Sequence, residues 1–131
     1  GVCFVCIHNG ASTDIIDFDV QECDAATGGT PRDLEVITEW FRKSETTLDN
    51  DETWTRVTQT AASEITNAGS ASSQLMAAFH VESSQLSDGY EYLGVNVPDA
   101  GTNATMFAAG IYIKYGLHYP RKPANLLAPL R

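Results

Sequence analysis

At 131 residues the chain has the length of one domain, which can bury about 65–70% of the surface its unfolded state exposes around a single core. Hydrophobic residues at 43% and charged residues at 19% are ordinary for a globular chain, so a core is expected without help from metals or disulfides. A formal charge of −9 excludes bulk nucleic-acid binding, and no stretch approaches the roughly 20 apolar residues needed to cross a bilayer, so neither nucleic acid nor membrane is expected as a partner.

The charge is split along the chain. All 17 acidic residues and four basic ones (Arg32, Arg42, Lys43, Arg56) precede residue 100, a balance of −13, whereas residues 100–131 hold Lys114, Arg121, Lys122 and Arg131 and no acid. Such a split suits docking of a basic tail on an acidic partner or on a neighbouring copy's acidic body, and equally a tail that is simply kept solvated. The chain opens on an apolar run without an initiator Met, as expected where a leading segment has been removed or lies outside the sequence.

Residues 2–8 form the first strand-like run. They carry Cys3 and Cys6, which with Cys23 make an odd count that argues against a disulfide framework. On a strand, positions three apart point to opposite faces about 10 Å apart, so Cys3 and Cys6 cannot share a bond or a metal and are expected as structural thiols. The Asn9-Gly10 turn signal suits a hairpin to the next run. There Ile16, Phe18 and Val20 alternate with Asp17, Asp19 and Gln21, predicting one buried and one solvated face.

Residues 24–31 are a loop. Residues 33–43 fit either a helix capped at Thr30-Pro31 or a strand, and their content of Val36, Ile37, Thr38, Trp40 and Phe41 favours strand. An acidic loop over 44–52 precedes a short strand at 54–58, and the small residues of 61–73 have little core-forming power. Leu75, Ala77, Phe79 and Val81 share one face of the next strand, and Leu93, Val95 and Val97 one face of another. Over 106–115, Phe107, Ala109, Ile111 and Ile113 face one side. Pro120, Pro123 and Pro129 deny residues 117–131 a central strand or a long helix, leaving an extended basic arm. The expected architecture is an all-β, antiparallel β-sandwich of jelly-roll or similar topology over residues 1–116, followed by that arm.

No catalytic constellation assembles. His8, His80 and His118 have no metal-site spacing, and Asp49-Asn50-Asp51-Glu52 puts Trp54 where a calcium loop needs Gly. Asp17 and Asp19 could serve as calcium ligands or as the carboxylates of a hydrolase, but a solvated strand face explains them as well. No enzyme, cofactor or metal is therefore expected. Tyr112, Tyr115, His118 and Tyr119 gather beside Arg121, Lys122 and, farther on, Arg131, residue types favoured at protein interfaces and sugar-stacking sites. The tyrosines could equally cap the edge of the core.

Several segments, taken in order, resemble head decoration (capsid cement) proteins of tailed bacteriophages: 17–24 with its following Gly-containing loop, Thr53-Trp54-Thr55-Arg56-Val57, Phe79-His80-Val81-Glu82, Leu86 to Leu93, and Ala109-Gly110-Ile111-Tyr112-Ile113 with His118 to Pro123. The chain departs from that pattern at Gly94, where the family often has Arg, and at Leu117-His118-Tyr119-Pro120, where it often reads Arg-Tyr-x-Pro. The resemblance implies a non-enzymatic virion protein on the phage head surface, made in the bacterial cytoplasm. It would bind the major capsid protein as a small homo-oligomer, a dimer or trimer. A carbohydrate-binding β-sandwich, for example in a phage tail, is the alternative, with Tyr112, Tyr115 or Trp54 as stacking platform.

Overall fold

The structure is a computed structural model that describes residues 1–9, 17–45, 53–65, 74–98 and 107–116. Nine strands run through them: β1 (Val2–His8), β2 (Phe18–Cys23), β3 (Arg32–Asp33), β4 (Ile37–Glu45), β5 (Thr55–Ala62), β6 (Glu64–Ile65), β7 (Gln74–Val81), β8 (Tyr92–Asn96) and β9 (Ala108–Lys114). A single 3-10 turn, Ser83–Gln85, follows β7. Among the described residues no helix is long and apolar enough to cross a membrane.

Two antiparallel sheets form the sandwich. The larger has the order β5-β4-β7-β1-β9. The smaller is built on β2, which pairs with β8 over residues 19–23 and with β3 and β6 through its other backbone edge. The all-β, antiparallel sandwich is as the alternation predicts; the strand order does not by itself establish a jelly-roll winding, and the arm lies outside the described residues. Of residues 33–43, Asp33 ends β3 and residues 37–43 lie in β4, as the β-branched and aromatic content favours, with a turn over 34–36 between them.

The core fills the space between the sheets. Leu75, Ala77, Phe79 and Val81 point into it from β7, all four buried, as the period-two pattern predicts. Phe4 and Cys6 join them from β1, and Phe18 and Val20 face them from β2. The Phe4 and Phe79 rings stack at 5.2 Å between centroids. Trp40 is buried with its indole N–H satisfied: it donates to Gln59 Oε1 at 3.0 Å, and the Gln59 amide donates in turn to the carbonyls of Ile37 and Glu64. One amide side chain thereby ties β4, β5 and β6 together. Here the chain bends from one sheet to the other between Ala62 and Glu64, and the Ser63 carbonyl accepts from the Val20 N–H at 2.9 Å. This bend closes one side of the sandwich.

Three expectations need correction. The Asn9-Gly10 segment does not join a hairpin, because β1 and β2 belong to different sheets. The stretch from residue 61 contributes Ile65 to the core despite its small neighbours, because β6 lays it against Phe18. The polar face of β2 is not uniformly solvated: as the central strand of its sheet it buries Asp19 and Cys23 on the face away from the core, and Glu22 on the other. The apolar row Ala109, Ile111 and Ile113 of β9 does share one side, as the alternation predicts, and that side is the outward one. Register places Tyr112 beside the core residue Phe4, so it is Ala108, Gly110 and Tyr112 that face inward, while Ala109, Ile111 and Ile113 face out.

Phe79→Ala should cost about 3–5 kcal/mol, because it opens a cavity and removes the ring stacked on Phe4. Urea unfolding should show a lower midpoint with an unchanged slope.

Candidate interaction surface

The outward face of the larger sheet is apolar across several strands, which an outward sheet face in water ordinarily is not. Register aligns Ile111 of β9 with Val5 of β1, Val5 with Ala78 of β7, and Ala78 with Phe41 of β4. A second row runs from Ala109 through Ile7 to Met76. Ile111 is 61% exposed, Ile113 53% and Ile7 38%, and Val5, Met76, Ala78 and Phe41 are half-buried. The patch ends on β4 and β5, where Lys43 and Arg56 take over the same face. Arg56 there pairs with Glu39, and the Lys43 ammonium sits 5.5 Å from the exposed Trp54 ring.

At one end of this face lies β9, an edge strand. It pairs with β1 alone, so its other backbone edge has no strand partner among the described residues. All seven of its residues are exposed and only Lys114 is charged. A regular, apolar, uncovered edge is a template for pairing with a further strand, and Lys114 is the one residue of a kind that opposes it.

Inside β9 the sandwich gapes. Leu93 and Val95 on β8 and Ala108, Gly110 and Tyr112 on β9 wall an apolar cleft of about 360 Å³ over a floor that includes Phe4 and Phe18. A second hollow of about 630 Å³ shares Phe4, Leu93 and Tyr112 with it and extends to Glu91, Tyr115 and Gly116. The two form one groove along the side of the sandwich opposite the Ser63 bend.

Of the candidate interface residues, the structure places Tyr112 and Tyr115; His118, Tyr119, Arg121, Lys122 and Arg131 lie outside the described residues. Tyr112 is 67% exposed and leans over the core, its ring 6.3 Å from that of Phe4. Tyr115 is tied down: its hydroxyl donates to Glu82 at 2.6 Å and its N–H to the Gly1 carbonyl at 3.0 Å. The bond to the Glu82 carboxylate raises the Tyr115 pKa, so this tyrosine anchors the end of β9 as well as facing solvent. The sequence reading missed Val5, Ile7, Phe41, Met76 and Ala78. The signal was there: Val2-Cys3-Phe4-Val5-Cys6-Ile7 is apolar at both parities, the pattern of a strand covered on both faces.

Asp19 is buried, with Oδ2 accepting from Gln21 at 3.0 Å and Oδ1 without a hydrogen-bond partner, and no three metal-ligating side chains converge among the described residues. Glu22 is structural: Oε1 accepts from Arg32 at 2.5 Å and Oε2 from the Ser87 N–H at 2.8 Å, while the guanidinium lies 4.1 Å from the Tyr90 ring. These contacts pin β3 and the turn before β8 to β2. Burial pushes the Glu22 pKa up, but the Ser87 and Arg32 hydrogen bonds outweigh it and the net shift is downward. Cys6 faces the core, and burial raises its thiol pKa to about 11, so it is a poor nucleophile. Comparisons of the chain with protein-family models, with curated proteins and with solved structures return no match.

Stability should fall on acidification in two stages. His8 is buried, and burial lowers its pKa below the ordinary 6.5; the unfolded chain therefore takes up its proton first, and stability is lost as pH falls below 6.5. Glu22 is held below its ordinary 4.5, so its contribution is present above that pH and is lost as pH falls through the lowered folded value. Urea midpoints measured from pH 8 to 3 should show both stages, with Glu22→Gln flattening the more acidic one.

Proposed function

We propose that the chain is a non-enzymatic assembly module that docks through the outward face of its larger sheet, and that its partner is the outer shell of a phage head. The observation that carries the docking reading is the apolar row Ile111–Val5–Ala78–Phe41, continued by Ile113 and Ile7 and ending in strand β9, whose outer edge has no strand partner among the described residues. Removing such a face from water is favourable by about 25 cal/mol per Å² of apolar area, so burying it against a protein surface is the favoured outcome. The lack of acids on β9 fits a contact core, from which charged residues are ordinarily depleted.

The partner class comes from the sequence resemblance. A decoration protein works by adding buried contact area over junctions between shell subunits, and a rigid sandwich offering one flat apolar face is suited to that task. Its acidic remainder, facing solvent, would keep the free protein from associating indiscriminately.

The experiment is to mix the protein with heads assembled from the capsid protein of the same genome and image them by cryo-electron microscopy. Ordered density over subunit junctions, with the larger sheet turned inward, is the expected result. Ile111→Lys should weaken binding at least tenfold while leaving the urea midpoint within error of the parent, since the side chain is exposed in the free protein. Bare heads under saturating protein would remove the reading.

A further inference from the structure

Independently of the docking face on the other sheet, we infer that Asp19, Glu64 and Asn96 form a binding site for a calcium ion on the outward face of the smaller sheet, where the ion clamps β6, β2 and β8 together.

The register puts the three side chains in one row. Asp19 of the central strand β2 stands directly opposite Glu64 of β6 across one backbone edge and opposite Asn96 of β8 across the other. All three lie on the face away from the core, because the adjacent pairs, Phe18 with Ile65 and Val20 with Val95, pack into it. Directly opposed side chains have Cβ atoms about 4.5–5.5 Å apart, so neighbours in the row can share one ion at calcium–oxygen distances of about 2.3–2.6 Å. Asp19 lies at the bottom of the row, 6% exposed, with the exposed Glu64 and Asn96 on either side.

The observation that points to a ligand is the Asp19 carboxylate itself. Oδ2 accepts at 3.0 Å from Gln21, two residues farther along the strand, whereas Oδ1 is buried and has no hydrogen-bond partner. With Oδ2 turned toward Gln21, Oδ1 is aimed at the row it shares with Glu64 and Asn96. A buried carboxylate oxygen without a partner carries a desolvation penalty that a bound cation removes. The surroundings add to that penalty. Glu64 sets a like charge directly across from Asp19, and the Gln21 amide nitrogen is shared with Asp33, to which it also donates at 3.2 Å. The one basic residue on the strands of this sheet, Arg32, is bonded to Glu22 on the opposite face.

The donor set selects the ion. Carboxylate and amide oxygens are hard ligands, suited to calcium, magnesium or manganese rather than to zinc or copper. No three Asp, Glu, His or Cys side chains converge among the described residues, and this site needs only two of them, the third ligand being an amide oxygen. Calcium accepts such a row because its shell of about six to eight oxygens is flexible and completed by water, whereas magnesium demands a near-ideal octahedron at about 2.0–2.1 Å. With two charged ligands the affinity belongs in the weak range, about 10⁻⁴–10⁻³ M.

The test is a calcium titration of the EDTA-treated chain, followed by calorimetry and by amide NMR shifts. One saturable site is expected, with the shifts centred on residues 19, 64 and 96 and a urea midpoint that rises with calcium concentration. Glu64→Gln and Asn96→Ala, both at exposed positions, should each weaken calcium binding at least tenfold while the metal-free chain stays folded. Asp19→Asn should abolish the response, and Asp88→Asn, at an exposed turn, should bind as the parent does. No saturable binding up to about 10 mM, tenfold above the weak limit for calcium modules, would overturn the proposal. So would parent-like affinity in both Glu64→Gln and Asn96→Ala, which would put the ion elsewhere, or an equal response to magnesium, which would reduce the effect to screening of an acidic surface.

Discussion

The larger sheet depends on a constraint imposed by β1, whose side chains are apolar on both faces from Val2 to Ile7. A strand of that composition is stable in water only if both faces are covered and both backbone edges paired. Antiparallel pairing with β7 and β9 satisfies the backbone, and the smaller sheet covers Phe4 and Cys6. The other face, with Val5 and Ile7, is covered by nothing among the described strands. Its neighbours do not compensate: Met76 and Ala78 on β7 and Ile111 on β9 are apolar too, so the face grows where a monomer would interrupt it with charge. Lys43 and Arg56 on the far strands show that the chain can place charge on this face, and it does so only at the margin.

A second asymmetry comes from how the two sheets are joined. On one side the chain passes from sheet to sheet through the bend at Ser63, and the Gln59 side chain and the Val20–Ser63 hydrogen bond hold the layers together. On the other side β8 and β9 are the terminal strands of their sheets among the described residues, and the layers part over Phe4 and Phe18. Sandwiches ordinarily fill such a gap with large inward side chains. Here β9 offers Ala108 and Gly110, which leave it open, and Tyr112, which only leans across its mouth. The groove is thus a consequence of residue choice at three positions of one strand.

Much of the fold could be read from periodicity because one face of most strands is polar. β7 is the clearest case, where Leu75, Ala77, Phe79 and Val81 stand out against Gln74 and His80. Reading failed where that contrast is missing. β9 is apolar at both parities, so alternation could not say which row faces the core, and the bulkier row turned out to face away from it. β2 failed for the opposite reason: its acids looked solvated, but a central strand is flanked on both edges, and Asp19 and Glu22 are buried there, Glu22 with Arg32 as a partner. The Asn9-Gly10 turn signal describes a local reversal and carries no information on whether the next strand joins the same sheet. The tyrosines were found by residue type alone, whereas Val5, Ile7, Met76 and Ala78 needed the pairing register before they formed a surface.

Charge sets the context in which these surfaces act. The acids before residue 100 leave β9 and everything after it untouched, so the apolar edge lies within the part of the chain that carries only basic charge. Like charge between acidic bodies holds separate copies apart over about a Debye length, near 8 Å at physiological ionic strength, and beyond that it does little. Short-range apolar contact must therefore decide association, and it can do so only where the acids are absent. A row of carboxylates along β9 would have given the same sheet pairing with β1 and a soluble edge; the sequence has isoleucine and tyrosine there instead. The composition of that one strand thus leaves the outward face and the cleft behind it, among the described residues, as apolar surface whose burial lowers the free energy.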